Sequence, residues 1–90
     1  MADVKVNLED LERFTKELDQ FNVRAEAMLK ELNFRFNRVG ETWKDAEHQR
    51  FAQEFKDSSK NLERFIVSSQ KHIPVLRKRV ESLRAYLNSR

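Results

Sequence analysis

Ninety residues with no Cys, one Gly, one Pro and 37% charged side chains suit one small domain with a thin core, since a chain this short buries only about 60 to 65 per cent of its unfolded surface. The missing Cys excludes a disulfide frame and a thiolate metal site, and no run of about 18 apolar residues provides a membrane-crossing helix. Charge is uneven: residues 1–45 carry 8 Lys/Arg against 10 Asp/Glu, and residues 46–90 carry 10 against 5, so a C-terminal segment folded beside the N-terminal one would neutralise both.

A stock rich in Leu, Glu, Lys, Arg and Gln belongs to long helices, and an all-α protein is expected. The start, MADVKVNLED, lacks the basic and then apolar order of a signal peptide. The expected location is therefore cytoplasmic, or secreted without a cleavable signal peptide.

The first helix is announced by Asn7, which can cap, with Asp10 three residues on as the partner of a capping box. Apolar residues then recur at intervals of three and four, at Leu11, Phe14, Leu18, Phe21, Ala25, Met28, Leu32 and Val39, with Arg35 breaking the series once, which is a heptad pattern. The helix should cover residues 8–39, roughly 48 Å at about 1.5 Å per residue.

Gly40, the only glycine, then reads as a helix stop with positive φ. The turn is expected at residues 40–42, with Thr42 capping a second helix over about 43–89 and Asp45 in the place of the box carboxylate. The apolar row of this helix holds Phe51, Phe55, Leu62, Phe65, Ile66, Ile73, Leu76, Val80, Leu83 and Leu87. Pro74 is expected to kink it or break it briefly near residues 72–74.

An antiparallel hairpin with its reversal at 40–42 pairs residues whose numbers add to about 83, setting Leu18 against Phe65 and leaving about fifteen C-terminal residues as an overhang. Apolar residues lie beside the heptad row on both helices, so each stripe is wider than a two-helix seam needs. Leu29, Phe36, Ile66 and Ile73 are accordingly expected to form a dimer interface that makes two hairpins into a four-helix bundle.

Trp43, the only tryptophan, is expected to fold back over the turn and plug the end of the core. A chain of about a hundred residues with heptad-like helices on either side of a turn that contains Trp resembles the WXG family of type VII secretion proteins. Here the motif reads Trp43, Lys44, Asp45, with Ala46 and Phe51 at positions where the family has Ala and Phe. Asp45 stands where the family has glycine, and Tyr86 is followed four residues on by Arg90 rather than by the acidic residue of the family's export signal. The resemblance implies a small helical hairpin that pairs with itself or with a similar hairpin, and serves as an export substrate, adaptor or partner of a larger toxin.

No chemistry accompanies the fold. His48 and His72 are the only histidines, the spacing of His48 from Glu47 and Glu54 fits no zinc pattern, and Ser58, Ser59, Ser68 and Ser69 have no placed base. Neither an enzyme nor a cofactor is expected. Arg77, Lys78, Arg79 and Arg84 form a candidate basic patch for nucleic acid or an anionic membrane, an alternative reading that no aromatic stacking platform supports.

Overall fold

The computed structural model describes residues 6–89, and these form two helices, α1 (Leu8–Val39) and α2 (Ala46–Asn88), paired as one antiparallel hairpin. Arg90 lies outside the described residues. The rod measures 66 × 21 × 17 Å. At the start of α1, the Asp10 backbone N–H donates to Asn7 Oδ1 at 3.0 Å, with Asn7 itself extended. This satisfies one of the four amides that a helix start leaves unpaired.

The reversal is longer than residues 40–42. The Thr42 hydroxyl donates to the Val39 carbonyl at 3.5 Å, and the cap of α2 is Asp45, whose Oδ1 accepts from the His48 backbone N–H at 3.0 Å. Both residues are good caps, but Asp brings a full negative charge to the helix end and takes the role. Asp45, and not Thr42, thus starts the second helix here.

Gly40 does not have the expected positive φ. Its φ is −65° and ψ −12°, and no residue among those described has positive φ. The chain leaves α1 through a tightening turn in which the N–H groups of Gly40, Glu41, Thr42 and Trp43 donate to the carbonyls of Phe36, Arg38, Val39 and Val39, so the last carbonyls of α1 are satisfied without a left-handed residue. Glycine is favoured here by space instead. A Cβ at Gly40 would sit 3.3 Å from the Asn37 carbonyl oxygen and 3.3 Å from His48 Nε2.

The register differs as well. The buried pair Asn22 and Ser69 has numbers adding to 91 rather than 83, and nearer the chain ends the pairs Asp19 with Arg77 and Glu12 with Arg84 add to 96. The overhang shrinks to a few residues. Helix α2 also passes through Pro74 without a break. Buried residues on either side of it, Ile73 and Val80, help to hold the helix, because tertiary packing offsets the hydrogen bond that proline removes.

The seam holds Leu29, Ile66, Ile73, Val80 and Leu83 as buried apolar residues, together with Thr15, Asn22, Ser59 and Ser69. The Thr15 hydroxyl donates to the Leu11 carbonyl at 2.8 Å, which hides its polarity inside its own helix. The Ser69 hydroxyl lies 2.9 Å from Asn22 Oδ1 and 3.2 Å from the Ile66 carbonyl oxygen. Asn22 is fully buried, and its Nδ2 has no acceptor.

Candidate functional site

The two flanks of the seam differ in chemistry. On one flank a groove of about 490 Å³ is lined by Phe21, Ala25, Met28, Leu32 and Leu62, with Arg24, Glu31 and Arg35 on its rim. The Phe21 and Phe65 rings meet across it in an edge contact, with centroids 6.1 Å apart. Phe14, Phe21, Met28 and Leu32 follow one another at helical spacing on α1 and are 55, 48, 67 and 53% exposed, and Phe65 on α2 is 50% exposed. These large side chains form a continuous apolar stripe, and stripes of this kind mark interaction surfaces.

The stripe is not where periodicity places the interface. Leu29, Ile66 and Ile73 are 9, 3 and 4% exposed and Phe36 is half-buried, so all four expected interface residues belong to the hairpin's own seam. Of the row that the heptad pattern assigns to the seam, Phe14, Phe21, Met28, Leu32 and Val39 are exposed, while Leu11, Leu18 and Ala25 are half-buried at its inner edge. Both rows are spaced for one helix face, and they lie next to each other around α1. The inner row carries Thr15, Asn22 and Asn33, which interrupt its apolar signal. The Asn33 side chain donates to the Leu29 carbonyl at 2.9 Å, a local bond that periodicity does not reveal.

The other flank is polar. Arg77 donates to Asp19 at 2.9 Å and Arg84 to Glu12 at 2.7 Å, pairing the basic C-terminal segment with the acidic N-terminal one as the charge distribution predicts. Further along, Glu26, Lys30, Asn33 and Glu63 line a smaller depression of about 260 Å³, together with Leu29, Ile66 and Val67. Two of the four residues of the candidate basic patch are therefore engaged within the chain, and Lys78 and Arg79 are the exposed remainder.

At the turn, Trp43 is half-buried and packs its edge on His48, with centroids 4.9 Å apart. His48 in turn stacks on Phe36 at 5.2 Å and an interplanar angle of 9°, and Phe36 meets Phe51 and Phe55 at 5.7 and 4.8 Å. The plug is thus a cluster of five rings in which Phe36 and Phe51 each meet three others, and His48 bridges Trp43 to Phe36. Nothing in the sequence around His48 marks it for this place. It is tied to the turn by its ring contacts and by the close approach of Nε2 to Gly40. His72, by contrast, is exposed, and its Nδ1–H donates to the Ser68 carbonyl at 3.0 Å.

Among the described residues, no group of three or more His, Cys, Asp or Glu side chains could hold a metal ion, and no helix is long and apolar enough to cross a membrane. No family model, curated protein or solved structure matches the chain.

Proposed function

We propose that the protein is a non-enzymatic interaction module that works by helix pairing, a hairpin of WXG type that forms a homo- or heterodimer and acts as a secretion substrate, adaptor or cargo partner. One observation carries this reading: the most regular apolar row of α1, Phe14, Phe21, Met28 and Leu32, lies outside the hairpin's own seam. Covering a few hundred Å² of such surface is worth several kcal/mol at about 25 cal/mol per Å², before the cost of association is subtracted. Trp43 at the turn and the single helical hairpin support the WXG comparison. Asp45 and Arg90 depart from its motifs, and the link to type VII export rests on the resemblance alone.

The test compares the two flanks. Met28→Glu should weaken association about 100-fold, whether with a second copy or with a hairpin protein encoded by an adjacent gene, because it puts a charge in the middle of the stripe. Val67→Glu, on the polar flank, should leave association unchanged. Equal effects from the two substitutions, measured by isothermal titration, would remove the apolar flank from this role.

A further inference from the structure

The charges that border the apolar stripe indicate what covers it. Along the outer edge of α1 they run Asp10, Arg13, Glu17, Arg24, Glu31, Arg35, each three, four or seven residues from the next and therefore on one side of the helix. Arg24, Glu31 and Arg35 lie on the rim of the groove. Their signs alternate from negative to positive, so reading the series backwards inverts every sign.

We infer that the stripe is covered by a second copy of this chain, with α1 packed antiparallel on α1 about a twofold axis near Phe21. This rests on the interaction-module reading and names its partner. In that arrangement Glu17 of one copy lies beside Arg24 of the other, Arg13 beside Glu31, and Asp10 beside Arg35, and the twofold makes each contact twice. A parallel alignment would set like charges side by side. The apolar residues match in the same register, with Phe14 over Met28 and Phe21 over Phe21. Because Phe65 touches Phe21 within each hairpin, four phenylalanines gather at the axis, where aromatic rings pack edge to face or offset.

The available area suffices. The chain exposes 7519 Å², whereas a compact monomer of 10.8 kDa exposes about 5,500 Å². The surplus of about 2,000 Å² per chain comes with the rod shape, and it leaves room for the roughly 800 Å² per partner of a standard interface. Two rim pairs already exist within the helix, Asp10 with Arg13 at 3.8 Å and Glu31 with Arg35 at 2.9 Å. Surface pairs of this kind exchange partners at little cost.

Sedimentation equilibrium on the full chain tests the arrangement. The wild type should have twice the mass of 10.8 kDa. Glu17→Arg and Arg24→Glu should each raise the dimer dissociation constant about tenfold, since each turns two attractive contacts into repulsive ones. The double variant E17R/R24E should return to within about threefold of wild type, because it restores both contacts with their signs exchanged. Both positions are exposed, and circular dichroism should show unchanged helicity in all three variants. A wild type that is monomeric at about 100 μM, a concentration at which an interface of standard size is populated, overturns self-pairing. A double variant as weak as its two single changes combined overturns the packing of α1 on α1. A monomeric wild type that still binds a different hairpin through Met28 overturns this inference and leaves the interaction module standing.

Discussion

The two flanks of the hairpin are built from the same two helices and are chemically unlike. One carries Phe14, Phe21, Met28, Leu32 and Phe65 about half or more exposed, while the other carries the cross-helix pairs Asp19 with Arg77 and Glu12 with Arg84. The polar flank is closer to finished: two cross-helix ion pairs tie it together, and water can cover the rest. The apolar flank is not, because large side chains in water contribute little to the hairpin's stability. On the proposed reading, the hairpin's fold and its association draw on separate residues, so that each can be altered without the other.

The largest effect should come from neighbouring residues that point to different places. Ile66 is in the seam and Phe65 on the apolar flank, so Ile66→Ala should cost about 3 kcal/mol of stability by leaving a cavity. Phe65→Ala should cost about 1 kcal/mol or less in the isolated hairpin, since the ring loses one edge contact. Urea midpoints at one low protein concentration check both, and equal costs would break the distinction between seam and flank.

A smaller effect belongs to the polar flank. Arg84→Gln should lower stability by about 0.5 kcal/mol, the range for exposed ion pairs, and both side chains of the Arg84 and Glu12 pair are about half exposed. The loss should vanish in about 1 M salt, where the Debye length is about 3 Å. A loss that persists there would mean that the Arg84 stem packs rather than pairs.

The smallest effect is expected at the turn. Gly40→Ala should change the urea midpoint by an amount equivalent to less than about 0.5 kcal/mol, because a helical φ lets alanine's better propensity offset its close contacts with Asn37 and His48. A cost of several times that would show that the cluster around His48 cannot give way.

Helix α1 can be read from the sequence to both of its ends because Asn7 and Gly40 bound an unbroken helical stretch. The start of α2 is less legible, since Thr42 and Asp45 are both sound caps and only packing chooses between them. That choice lengthens the turn, and packing along the seam sets the register at 91 rather than 83. The exchange of seam and interface has a different cause. Periodicity finds an apolar row but does not say which of two adjacent rows turns inward, and buried Thr15, Asn22 and Ser69 make the inner row look like the outer one. The ring cluster leaves only Trp43 as a signal, because the place of His48 depends on a contact across the turn.

Asn22 gives the hairpin a fixed gauge. Sliding α2 by one heptad would set Asn22 against Leu62 or Leu76 instead of Ser69, and the amide would lose the bond to Ser69. Burying an amide without partners costs about 1 to 3 kcal/mol, enough to disfavour each slipped alignment by roughly tenfold or more. A seam of interchangeable layers would let the two rods settle at several lengths, and this single notch selects one. It thereby sets how far the turn, with its five rings, stands from the chain ends along a 66 Å body.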